Sequence, residues 1–101
     1  MARYKNIQNQ KKNKMSKKVY QEFRSANILG VTVEHNGFQG GDEGNGGFVR
    51  IAFKNKSSTS MQLNGKYCDS FDFTFRGDTE RDTLVSGLKM IVKELDRNPS
   101  I

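Results

Sequence analysis

Residues 70–95 read SFDFTFRGDTERDTLVSGLKMIVKEL, and the hydrophobic period changes partway along them. At the start the apolar positions alternate: Phe71, Phe73 and Phe75 stand between Ser70, Asp72 and Thr74, the pattern of a half-buried strand, and aromatic residues favour strands. Further on, Leu84, Leu88, Ile91 and Leu95 recur at helical spacing, and Val85 and Val92 widen the stripe. Asp78 or Thr79 is the expected cap, Thr79 with Asp82 resembles a capping box, and Glu80 adds negative charge at the positive end of the helix dipole. Asn98-Pro99 marks the expected end, since the residue before proline is biased away from helix. Burying six such apolar side chains contributes on the order of 10 kcal/mol before conformational entropy is subtracted. The helix is therefore expected to cover a sheet whose apolar face includes the three phenylalanines.

Upstream, the alternation recurs twice. Leu29, Val31 and Val33 oppose Thr32 and Glu34, and Val49, Ile51 and Phe53 oppose Arg50, Ala52 and Lys54, so each strand is apolar on one face only. Between Met61–Leu63 and Lys66–Cys68 lies Asn64-Gly65, a dipeptide suited to a type I′ turn, which predicts an additional small hairpin. Residues 37–47 hold six of the ten glycines between two strands and are expected to form a flexible hairpin loop. Met15, Val19 and Phe23 fall at i, i+4 and i+8, with Lys17, Lys18 and Gln21 elsewhere, which predicts a short amphipathic helix with Ser16 as its cap. Residues 1–14 are rich in Lys, Asn and Gln without any apolar period and are expected to be a disordered basic arm.

The expected fold class is α+β: a small two-layer α-β-β-β-α domain over residues 15–101, with an antiparallel sheet of three or four strands covered by the C-terminal helix and a flexible N-terminal arm. In element order, with a basic first helix, this resembles a double-stranded-RNA-binding domain. That family carries a basic cluster of the type KKxAK at the start of its second helix. Here the position reads Gly77-Asp78-Thr79-Glu80-Arg81-Asp82, which is acidic, so no residue roles carry over.

Charge supplies the functional bias. The first 24 residues carry Arg3, Lys5, Lys11, Lys12, Lys14, Lys17, Lys18 and Arg24 against Glu22 alone, a sum of +7, and since the whole chain is +6 the remainder sums to −1. Clustered Lys and Arg gain affinity by displacing condensed counterions from phosphates, which points to a polyanionic partner. Tyr4, Tyr20 and Phe23 interleave with these cations, and aromatic stacking supplements ion pairing in nucleic-acid binders.

Other features carry less. The glycine loop joins strand to strand, lacks a GxGxxG or GxxxxGK[ST] pattern, and places Asp42 and Glu43 at its tip. His35 is the sole histidine and Cys68 the sole cysteine, and no metal-ligand spacing or nucleophile signature surrounds either. A lone cysteine suits a reducing compartment, Asn55-Lys56-Ser57 and Arg76-Gly77-Asp78 read as chance matches there, and no apolar run approaches a membrane span. The expectation is a cytoplasmic protein with neither cofactor nor metal, without enzymatic activity and without membrane contact.

The leading expectation is a nucleic-acid-binding protein, for RNA or single-stranded DNA, in which Lys11, Lys12, Lys14, Lys17, Lys18 and Arg24 contact phosphates and Arg50 and Lys54 extend the footprint. The opposite sheet face, with Thr32, Glu34, Arg50, Lys54, Ser70, Asp72 and Thr74, is mixed in sign and reads as no obvious phosphate groove. The alternative is a small protein-binding regulator or inhibitor using a strand edge, the acidic loop tip and the arm. The Asn- and Lys-rich composition suits such an accessory protein of a phage or mobile element. A homodimer through a sheet edge or the first helix is compatible with either. A weaker alternative is nucleotide capture by the glycine loop with Arg50.

Overall fold

The computed structural model describes residues 16–96. Strands β1 (Lys17–Arg24), β2 (Ile28–His35), β3 (Phe48–Ser57) and β6 (Ser70–Arg76) form an antiparallel sheet in the order β1-β2-β3-β6. The short β4 (Gln62–Leu63) and β5 (Lys66–Tyr67) make a separate hairpin between β3 and β6, and α1 (Asp78–Leu95) follows directly on β6. Asn64 and Gly65 both take positive φ, 53° and 80°, as a type I′ turn demands. The fold is therefore a small α+β domain, an antiparallel sheet with one C-terminal helix.

The register sorts the side chains as the alternation predicts. Val33, Ile51 and Phe73 lie side by side across β2, β3 and β6, as do Val31, Phe53 and Phe71, so the apolar alternates of all three strands share one face. Phe53 and Phe71 pack at 5.4 Å between ring centroids, and Phe73 meets Phe75 edge-on at 5.8 Å. Helix α1 packs on this face against β6, with a smaller contact to β3. Leu84 and Leu88 are half-buried there, whereas Val85, Ile91, Val92 and Leu95 remain exposed. Among the described residues only Val49 and Ile51 are apolar side chains below a tenth exposed.

The expected first helix is instead strand β1, paired along its whole length with β2. A spacing of four satisfies both periods: it returns to one face of a helix after 400° and to one face of a strand after two alternations. Val19, Gln21 and Phe23 therefore share the apolar face opposite Val33, Val31 and Leu29. Pairing with β2 satisfies the backbone of this β-branched and aromatic segment, and that tertiary gain overrides a marginal helical pattern. With β1 in place of a helix, the element order departs from that of double-stranded-RNA-binding domains. The arm of residues 1–14 and the predicted stop at Asn98-Pro99 lie outside the described residues.

The cap of α1 also differs from expectation. Neither Asp78 nor Thr79 caps it; Gly77 occupies the N-cap position, and Asp42, from the glycine loop, accepts a hydrogen bond from the Thr79 amide at 2.8 Å. In return the Asp78 carboxylate accepts from the amides of Gln39 (3.0 Å) and Gly40 (2.8 Å), and Glu80 accepts from the Glu43 amide at 3.2 Å. Further backbone bonds run from Asp78 N to Gly41 O, from Gly77 N to Gly47 O and from Gly44 N to Arg76 O. The loop expected to be flexible is thus bonded to the helix start along most of its length. Gly77 has φ 121°, and a β-carbon there would collide with the Glu80 carboxylate and the Asp42 backbone, so the junction requires glycine.

Candidate nucleic-acid interface

Antiparallel pairing assembles the polar alternates of four strands into rows across the second face of the sheet. One row runs Lys18, Glu34, Arg50, Thr74; the next Tyr20, Thr32, Ala52, Asp72; the third Glu22, Gly30, Lys54, Ser70. The middle of this face is built of small residues, Gly30, Thr32, Ala52 and Ser70, and the longer Tyr20, Arg50, Lys54 and Asp72 rise around them. The result is a shallow depression of about 320 Å³. The helix lies on the other side of the sheet.

The carboxylates here are bound internally. Arg50 Nε donates to Asp72 Oδ2 at 2.7 Å, and its other arm stands 3.8 Å from Glu34. Glu22 accepts from the Tyr20 hydroxyl at 2.8 Å and from Arg24 at 3.2 Å. The shared proton position acts on both partners: the hydrogen bond to Glu22 raises the Tyr20 pKa above its ordinary value, and the same bond, aided by Arg24 and Lys56, lowers that of Glu22. Tyr20 is held as a neutral phenol, its ring lying against Gly30, where a β-carbon would approach the hydroxyl to 2.8 Å. The ammonium groups of Lys18 and Lys54 make no hydrogen bond or ion pair with any described residue. Arg76 continues the face, its guanidinium 5.6 Å over the Phe48 ring.

Of the residues expected to contact phosphate, the structure brings Lys18, Arg24, Arg50 and Lys54 onto this one face. Lys17 falls on the apolar face opposite His35, and Lys11, Lys12 and Lys14 lie outside the described residues. Sequence reasoning noted Tyr20 among the N-terminal cations without placing it on this face, and it did not single out Lys56, whose charge acts on Glu22. The even numbering shared by Lys18, Tyr20, Glu22 and Arg24 was the available signal, legible only once the segment is a strand.

The other candidates resolve into structural roles. His35 Nδ1 accepts from the Gly37 amide at 3.1 Å and lies 3.2 Å from Arg81, whose guanidinium covers Phe38 at 4.5 Å; two donors at Nδ1 place the ring proton on Nε2. Among the described residues no cluster of three or more His, Cys, Asp or Glu side chains converges, and no helix is long and apolar enough to cross a membrane. In the glycine loop the amides of Gln39, Gly40 and Glu43 donate to the carboxylates of Asp78 and Glu80. Compared with protein-family models, curated proteins and solved structures, the chain matches none.

Proposed function

We propose that this chain binds single-stranded nucleic acid through the open polar face of its sheet, with the basic N-terminal residues adding phosphate contacts. The observation that carries the reading is the combination on one uncovered face of a small-residue depression, the half-exposed Tyr20 ring and the unpaired Lys18 and Lys54. An aromatic ring beside a hollow offers a base a stacking partner, and lysines around it take the flanking phosphates. Arg50, already bonded to two carboxylates, acts mainly to neutralise Asp72 and Glu34 so that the face does not repel a polyanion. Ser16 donates to Glu34 at 3.4 Å, at the start of the Lys18 row, and in the sequence Lys11, Lys12 and Lys14 precede it and add positive charge for the same polyanion.

Fluorescence anisotropy with single-stranded and duplex oligonucleotides across a salt series tests this. If about six cations contact a single strand, log K falls with log salt at a slope of roughly −4. Tighter binding to single strands and a shallower slope for Lys18→Glu/Lys54→Glu are the expected results. A flat salt response, or a charge-reversed double variant that binds as well as the parent, refutes it. The protein-binding alternative, through a strand edge, the acidic loop tip and the arm, would instead give a complex with a protein that survives high salt and nuclease treatment.

A further inference from the structure

We infer that the apolar side of this molecule is closed by a second copy of the chain, the two α1 helices packing antiparallel about a two-fold axis. The inference is independent of the nucleic-acid reading, which concerns the opposite face of the sheet. It starts from the shortage of core: only Val49 and Ile51 are apolar side chains less than a tenth exposed among the described residues. A chain of this length that folds alone buries most of its large apolar side chains.

The uncovered groups lie on the helix side. On α1, Val92 is 58% and Leu95 78% exposed, and Val85 and Ile91 are 39% and 46% exposed. On the same side of the sheet Val19, Phe23 and Phe75 are between 38% and 50% exposed. Together these leave roughly 600 Å² of apolar surface per copy, at the upper limit for an unpartnered monomer and near the about 800 Å² that each side of a stable interface buries. Residues 1–15 contain only a few apolar side chains among nine Lys, Asn and Gln, so this segment is ill suited to cover the patch.

The helix sequence sets the arrangement. Leu84, Leu88 and Ile91 line the cleft against Phe73 and Phe75 of the same chain, so the stripe that α1 offers a second helix is Val85 and Val92, with Leu95 at its end. Asp82, Lys89 and Lys93 border that same side, and none of them makes an ion pair with a described residue. An antiparallel pair sets like border against like border. With the axis between Leu88 and Lys89, Val85 meets Val92 of the second copy, and Asp82 comes within about a turn of its Lys93, twice by symmetry. Pairing in this sense covers the apolar stripe and sets Asp82 near Lys93 of the second copy, while the two Lys89 side chains, next to the axis on the same border, face each other and oppose it.

Sedimentation equilibrium of the full chain tests this, with far-UV circular dichroism to verify folding. The expected result is twice the 11.5 kDa chain mass, with a Tm that rises with protein concentration. Val92→Lys/Leu95→Lys, at positions exposed within one copy, is expected to weaken association at least about tenfold while keeping the fold. Asp82→Lys is expected to weaken it severalfold, and Asp82→Lys/Lys93→Asp to restore it. A wild-type chain that is monomeric at roughly 0.1 mM, alone or in complex with a different protein, overturns the inference. So does a dimer indifferent to the lysine pair, and failure of the charge exchange to rescue overturns the antiparallel arrangement.

Discussion

The two faces of this sheet are made from the same four strands, one residue out of phase, and differ in how they meet their surroundings. The helix side is mainly apolar, broken by Lys17, Gln21 and His35, and α1 spans only the β6 and β3 part of it, so Val19 and Phe23 on β1 stay half exposed. The other side meets no helix and needs none, because its carboxylates are bound by Arg50, Arg24 and Tyr20 and its floor is made of small residues. Stability therefore resides on one face at a narrow strip around Val49 and Ile51. The open face keeps Lys18, Tyr20 and Lys54 exposed to solvent, where they contribute little to the packed strip.

The largest effect expected from this division is on stability. Ile51→Ala removes one of the two buried aliphatic side chains and is expected to cost about 2–4 kcal/mol, enough to unfold a marginal domain, as read by urea denaturation. Thr32→Ala, on the opposite face of the neighbouring strand, is expected to stay within about 0.5 kcal/mol. Equal costs at the two positions would break the comparison, by showing that the polar face is a packed surface as well.

Next in size is an effect on binding alone. Lys18→Glu/Lys54→Glu is expected to reduce affinity for a single-stranded oligonucleotide by about tenfold or more at low salt, each lost phosphate contact making the salt slope shallower by about 0.7. The Tm should fall by only a few degrees, because the reversal at position 18 sets a like charge opposite Glu34 while neither lysine has an ion pair among the described residues to lose. A fall in Tm equal to that of a core variant would place these lysines in the fold rather than on the binding face.

How far the sequence reveals this architecture depends on the range of the forces involved. The alternation of Phe71, Phe73 and Phe75, the helical stripe from Leu84 and the Asn64-Gly65 turn are set by neighbours a few residues apart, and all are legible. The segment from Lys17 is not, because a spacing of four is common to both periods and its strand state comes from pairing with Ile28–His35. The proposed binding face inherits that ambiguity: Lys18 and Tyr20 join Arg50 and Lys54 only when β1 is a strand. The cap of α1 was hidden for a different reason, since Asp42 and Thr79 are 37 residues apart and their bond depends on the loop's closure over the helix.

That cap makes a smaller prediction at the junction between the faces. The Thr79 amide and hydroxyl, by bonding Asp42, hold its carboxyl below the ordinary aspartate range. A carboxyl lowered in the folded state favours folding above the unfolded-state pKa, and that contribution disappears as pH falls through the folded one. Asp42→Ala is expected to lower Tm by on the order of 5 °C at neutral pH, and the gap to the parent should close below about pH 4 as the parent's own carboxylate is protonated. A gap that persists undiminished in acid would show that Asp42 acts through loop packing rather than through its charge.

The smallest expected change, Gly30→Ala, bears most directly on what the open face is for. The added methyl would stand 2.8 Å from the Tyr20 hydroxyl and 3.1 Å from its ring carbon Cε1, so the ring must leave its seat; being the end of a half-exposed side chain, it can do so cheaply. The lower backbone entropy of unfolded alanine offsets the lost contact, and stability is expected to change by less than about 0.5 kcal/mol. Two other quantities should move. Once separated from Glu22, Tyr20 loses the hydrogen bond that raises its pKa, so ultraviolet titration should show it ionising closer to the ordinary phenol range. If a base stacks on the seated ring, single-strand affinity should fall severalfold in the same variant, with the salt slope unchanged because no phosphate contact is lost. A shifted titration with intact affinity would leave the lysines as the whole of the binding face and reduce Tyr20 to the group that holds Glu22 in place.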